Sequence, residues 1–315
     1  MKNKFKTFFL LSSLTTLSMY AINKIITSLA NSKNNLTLNG GKFFEWRFGN
    51  IYYTKQGKGK PILLIHDLFV GSSSFEWEKI IKSLSKSNTV YTIDLLGCGL
   101  SEKPNITYTN YVYVQLINDF IKNIINQKTD IIVTGESSSF VIMGCHLDKD
   151  LYNKIMIINP SNIGQLKTVP TKKTKALKLL IDIPIIGTLI YNMIFSKKNM
   201  RDLFIYEYYF KNHLVSNKYV NAYYSGAHIG NGKAKYLFSS MKGKYTNANI
   251  IHALKAINHS IFIISSLNSN HSTSIVEEYI HYNPAIEYAY INQAKYLPQL
   301  EVPNIILEYI KMFFN

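Results

Sequence analysis

The sequence predicts an α/β fold: a mostly parallel, doubly wound sheet carrying a helical insertion, behind an N-terminal hydrophobic segment. Three observations lead there. Short, continuous apolar runs rich in β-branched residues alternate with amphipathic stretches, as expected of strands buried on both faces between helices. Residues 130–143 pass from such a run through Gly135-Glu136-Ser137-Ser138-Ser139 into another apolar segment, which reads as strand, tight turn and helix. Over residues 165–258 the alternation gives way to helical periodicity with many Lys and Tyr, before strands resume.

Taken in order, residues 1–35 stand apart. Lys2, Lys4 and Lys6 precede an uncharged apolar run of about 17 residues, near the lower limit for crossing a bilayer. This pattern fits an uncleaved anchor or a signal peptide, with Ser28 and Ala30 at the −3 and −1 positions of a cleavage site. The leading lysines favour a cytoplasmic N-terminus and an extracytoplasmic main domain. The expectation is a single anchor in the cell membrane, with secretion after cleavage as the alternative.

Residues 31–41 form a polar tether, and the first part of the α/β core spans 36–164. Runs 43–48 and 51–55 flank Gly49-Asn50 and predict a hairpin. The core continues with strands at 62–65, 90–93, 131–133 and 155–158, and helices at 75–84 and 111–125. Within the insertion, 165–258, residues 176–195 are apolar enough to suggest a second span. Lys178, Asp182, Pro184 and Gly187 interrupt them, so a packed helical pair is expected. The second part of the core, 259–315, resumes with strands at 261–264 and 286–291 and helices at 274–280 and 303–314.

The formal net charge of +16 is almost entirely Lys, spread along the chain; Arg47 and Arg201 are the only arginines. That distribution suits an anionic membrane surface and lacks the Arg–aromatic blocks of a nucleic-acid site. Cys98 and Cys145 have neither a disulfide framework nor metal-ligand spacing and are expected as free core residues. No dinucleotide fingerprint, phosphate loop or metal cluster occurs, so no cofactor is expected.

Four ordered motifs resemble the α/β-hydrolase family from Phe43 to Phe314. Pro61-Ile-Leu-Leu-Ile-His66 resembles its strand into the oxyanion turn, and Asp94-Leu-Leu-Gly97-Cys-Gly99-Leu-Ser101-Glu-Lys-Pro104 its D-x-x-G-x-G-x-S-x-x-P loop. Gly135–Ser139 resembles the nucleophile elbow, and Leu297-Pro-Gln-Leu-Glu301 the segment after the catalytic histidine. The resemblance implies Ser137 as nucleophile, the N–H groups of Ser138 and Leu68 as oxyanion hole, and the insertion as a cap.

The chain departs from that pattern at three places. Asp67 replaces the glycine after His66, putting a carboxylate beside a developing oxyanion. Tyr296 stands where the base histidine should be; a phenol is only about one part in a thousand ionised at pH 7. The expected acid loops offer Asn268 and Asn270, or Asn159 and Asn162, instead of a carboxylate. Tyr296 is therefore expected as a packed aromatic bonding Ser137 or water, with His271 as the substitute base if Ser137 works. His213, His228, His252, His259 and His281 read as surface or helix-end residues. The expectation is a membrane-tethered protein that binds an apolar or lipid-like ligand or a partner, with at most very weak hydrolysis. The alternative is an ester or amide hydrolase using Ser137 with a non-standard base.

Overall fold

The computed structural model describes residues 2–31, 36 and 41–314. Most of the tether expected over 31–41 lies outside them. Eight strands form one sheet in the order β1-β2-β4-β3-β5-β6-β7-β8. The hairpin β1 (Gly41–Trp46) and β2 (Gly49–Gln56) pairs antiparallel onto β4 (Asn88–Ile93). The others, β3 (Lys60–Ile65), β5 (Thr129–Thr134), β6 (Tyr152–Ile158), β7 (Ile261–Ser266) and β8 (Glu287–Ile291), continue it in parallel.

The apolar runs read as buried strands because their side chains serve both faces. Ile62, Leu64, Ile132, Met156 and Ile158 pack on one side against Trp77, Ile80, Ile306 and Ile310. Leu63, Ile65, Ile131, Val133, Ile155 and Ile157 point to the other, where Phe120, Phe140 and the insertion close the core.

The helices are α1 (Lys2–Asn31), α2 (Glu78–Leu84), α3 (Asn110–Phe120) and α4 (Ser137–Leu147). Between β6 and β7 the described chain is helical, without strands: α5 (Ile163–Leu166), α6 (Lys172–Asp182), α7 (Ile186–Ile194), α8 (Lys197–Leu203), α9 (Asn217–His228), α10 (Lys235–Lys242) and α11 (Ile251–Ala256). Then come α12 (Ser272–Tyr282), α13 (Pro298–Glu301) and α14 (Pro303–Phe314). The pair expected over 176–195 is α6 and α7, bent by 100° at their junction. Cys98 and Cys145 are buried free thiols.

Candidate active site

The site lies at the C-terminal ends of β3, β5 and β6, where the parallel strands stop and loops converge. At the end of β3, His66 is fully buried and neutral in role: its Nδ1 pairs with the Asp67 carbonyl at 2.7 Å, and its Nε2 accepts the Leu95 N–H at 3.0 Å. Burial pushes its pKa down. After β4, Asp94 accepts the N–H groups of Ser74 and Leu100, both at 2.7 Å. Both residues hold loops in place.

The strand, tight turn and helix expected over residues 130–143 are β5, the turn at Gly135-Glu136 and α4. The turn's left-handed residue is Gly135, with φ of 57°, and Ser137 has no such φ. Glu136 is already helical, and Ser137 is the first residue of α4. A Cβ on Gly135 would meet Asp67 Oδ1 at 2.1 Å and the Tyr296 hydroxyl at 2.4 Å, so only glycine fits. Ser137 is fully buried, and its hydroxyl has no hydrogen-bond partner among the described residues. Ser138 is turned inward: its N–H and hydroxyl both donate to the Gly135 carbonyl, at 3.2 and 2.7 Å.

Tyr296 is not bonded to Ser137. Its hydroxyl donates to Asp67 Oδ2 at 2.7 Å, and Tyr208 stacks on its ring at 5.3 Å. The other oxygen, Asp67 Oδ1, accepts the Glu136 N–H at 2.7 Å. The Leu68 N–H also faces this carboxylate, so the expected hole donor at Leu68 serves an internal anion. These donors favour the ionised form, yet burial outweighs them and holds the Asp67 pKa above its ordinary value.

Two further carboxyls surround Asp67. Glu76, fully buried, accepts the Tyr223 hydroxyl at 2.6 Å. Burial, with the nearby Asp67 charge, pushes its pKa up to about 8. Glu136 is pushed up to about 7 by burial, again with a contribution from Asp67. The sequence singled out neither Glu76 nor Glu136; the position of Asp67 was the available signal.

Asn159 follows β6 in a left-handed conformation and ties the Tyr296 loop down. Its Nδ2 donates to the carbonyls of Lys295 and Tyr296 at 3.0 and 2.9 Å, and its Oδ1 accepts the Ser266 N–H at 2.8 Å. Glu301 fastens the same loop to the insertion by accepting the N–H groups of Lys295, Phe210 and Lys211. Asn270 and Tyr296 do come together, lining a cleft of about 280 Å³ with Asn159, Tyr208 and Lys295. Neither Ser137 nor Asp67 lines it. His271 is exposed at the start of α12, outside the buried cluster. His228, expected as a surface or helix-end residue, is the last residue of α9 and is fully buried against Tyr224, whose carbonyl pairs with its Nδ1 at 2.8 Å. Among the described residues no group of His, Cys, Asp or Glu is arranged to hold a metal.

No family model matches the chain. A serine hydrolase involved in carbazole degradation superposes with a TM-score of 0.68 over 87% of this chain and 98% of its own, at 18% identity. A meta-cleavage product hydrolase from Pseudomonas fluorescens superposes equally well, with a TM-score of 0.68, 17% identity and 89% and 99% coverage. The chain has the α/β-hydrolase fold. In sequence, it is 38% identical over 71 residues to 2-hydroxy-6-oxo-6-(2'-aminophenyl)hexa-2,4-dienoic acid hydrolase of Metapseudomonas resinovorans. That match spans 22% of this chain and 24% of the relative.

Proposed function

We propose that this is an α/β-hydrolase-fold protein, associated with a membrane through α1, that binds a ligand and does not hydrolyse one. The observation that carries this reading is the Asp67 carboxylate, which lies beside the elbow glycine and accepts the Glu136 N–H and the Tyr296 hydroxyl. In an elbow, the nucleophile occupies the strained apex, and the N–H of the next residue serves the oxyanion hole. The left-handed φ at Gly135, the direction of its missing Cβ and the donor at Glu136 all support Gly135 as the apex. The position has no hydroxyl, and a carboxylate fills the hole. On this reading Ser137 and Ser138 belong to the helix, Tyr296 is a donor to Asp67, and Asn270 lines the ligand cleft.

The insertion then acts as a cap over that cleft. Its lining of amides, Lys295 and the stacked Tyr208 and Tyr296 fits a small, flat polar ligand better than a long acyl chain. The named hydrolases among the similar proteins favour a second reading, hydrolysis by Ser137.

Fluorophosphonate labelling of the full chain separates the two. Wild type is expected to label no more than Ser137→Ala. The triple variant Gly135→Ser, Asp67→Gly, Tyr296→His, which returns hydroxyl, open hole and base together, is expected to label. Wild-type labelling that disappears in Ser137→Ala overturns the proposal.

A further inference from the structure

We infer that the bend between α6 and α7 is a second membrane contact, an apolar wedge that dips into the interface of an anionic bilayer beside α1. Around the bend Leu179, Leu180, Ile183 and Ile186 are exposed, and Met193 and Ile194 extend the same exposure along α7. Lysines stand at both ends of this apolar stretch: exposed Lys172, Lys173 and Lys175 before it, exposed Lys197 and Lys198 after it. Its one carboxylate, Asp182, is paired with Lys178 at 2.5 Å and accepts the Ser239 hydroxyl at 2.6 Å. Apolar residues framed by lysines are the composition of a segment lying at the acyl–headgroup boundary of an anionic leaflet.

The contact with α1 identifies a bilayer as the occupant. The distal part of α1 is free, with Phe8, Phe9, Leu10, Leu11, Leu14 and Leu17 more than half exposed. Its proximal part is docked: Asn23, Thr27 and Ala30 are buried. Asn23 is bonded to the bend itself, donating to the Ile185 carbonyl at 3.0 Å and accepting from Asn192 of α7 at 2.8 Å. The apolar helix Lys6–Ala30 is long enough to span, but its last turns are already against the insertion. The free part before Asn23 is about 17 residues, roughly 25 Å at 1.5 Å per residue, against a hydrocarbon core of about 30 Å. The shortfall of about 5 Å is the depth to which interfacial helices sink. If α1 crosses the membrane, the bend bonded to it is drawn to that depth. Between α1 and the bend lies a gap of about 320 Å³ whose walls include Lys24 and Lys233, suited to an anionic headgroup.

The test uses the full chain reconstituted in phosphatidylcholine vesicles with and without phosphatidylglycerol, containing doxyl-labelled lipid. An environment-sensitive thiol dye is placed at Ile183→Cys, Met193→Cys, Leu11→Cys or Leu147→Cys. The native thiols are fully buried and held protonated by burial, so they do not compete for the dye. Leu147 is exposed at the last residue of α4, the helix that leads away from the C-terminal end of β5. Lipid quenching at Ile183→Cys and Met193→Cys is expected at least about twofold above Leu147→Cys in phosphatidylglycerol vesicles. It should fall when Lys172, Lys173 and Lys175 become Glu, while Leu11→Cys stays quenched. Quenching at Leu11→Cys alone would show α1 inserted with the bend in water, and overturns the inference. So does protection of Ile183→Cys from soluble iodide without lipid quenching, which marks a protein partner or second copy. Neither result bears on whether the elbow is catalytic.

Discussion

Two turns in this molecule share one geometry and differ in what it serves. At Gly99, after β4, a Cβ would lie 2.1 Å from Asp94 Oδ2; at Gly135, after β5, it would lie 2.1 Å from Asp67 Oδ1. Both glycines have positive φ, and both are pinned by a buried carboxylate. Asp94 uses its oxygens on the N–H groups of Ser74 and Leu100, joining two segments of one loop system. Asp67 uses its oxygens on the Tyr296 phenol and on the N–H groups of Glu136 and Leu68. The first arrangement organises the fold. The second lies beside the glycine that the proposed reading makes the apex of the elbow, so one local device ties a loop in one place and, on that reading, fills the catalytic position in the other.

The largest expected effect comes from forcing a side chain into each turn. Gly135→Ser and Gly99→Ser each combine a left-handed backbone with a severe overlap, and each should cost about 3 kcal/mol or more in urea unfolding. The repairs separate them. Adding Asp67→Gly and Tyr296→His to Gly135→Ser is expected to restore at least half of the loss, because the overlapping atoms are gone and the introduced hydroxyl meets the freed donors. Adding Asp94→Gly to Gly99→Ser should restore nothing, since two buried N–H groups lose their acceptor. Equal recovery at both turns would erase the distinction.

Much of the fold was legible because strands buried on both faces leave an unambiguous record. The runs expected at 62–65, 90–93, 155–158 and 261–264 each lie inside a strand. Helix ends were less legible. The helix expected over 75–84 is a 3₁₀ turn at Ser74–Trp77 followed by α2, and the one expected over 111–125 ends in the π-turn Ile121–Ile125. If Gly135 is the apex, the register of the elbow is shifted by two residues, and for a specific reason. Gly135 fits the motif as the small residue two places before the serine, and it fits equally as the apex itself. Only the length of β5 separates those registers, and strand ends are set by tertiary contacts. Asp67 and Tyr296 each looked like a separate loss; in space they meet beside Gly135.

The carboxyl cluster gives the next largest effect. Glu76 and Glu136 are raised to about 8 and about 7, and Asp67 is raised too. The folded protein therefore keeps protons that the unfolded chain releases above its ordinary carboxyl pKa of about 4.5. Their contribution to stability is complete below that pH and is lost as pH rises toward 8. Each group contributes a slope of up to about 1.4 kcal/mol per pH unit within its own window. Glu76→Gln should flatten the upper part of the decline, between pH 7 and pH 8, in unfolding curves taken across that range. A wild-type stability that is flat or rises there would contradict the cluster. Tyr296→Phe is expected to be milder, costing about 1–2 kcal/mol by removing one donor from Asp67 while keeping the stack on Tyr208.

The smallest effect is expected at the residue that the motif singles out. In a working elbow the serine hydroxyl is held by its base, and alanine there removes activity while changing the hydrogen bonding of the site. Here the Ser137 hydroxyl is fully buried and has no partner among the described residues. Removing it takes away a desolvated polar group that makes no compensating bond, so Ser137→Ala should leave stability within about 0.5 kcal/mol of wild type or raise it. The unfolding midpoint reads this directly, and ligand binding at the Asn270–Tyr296 cleft should be unaffected because Ser137 does not line it. A loss of more than about 2 kcal/mol would mean that the hydroxyl is bonded in solution. The serine would then regain a role at the elbow, against the proposed reading.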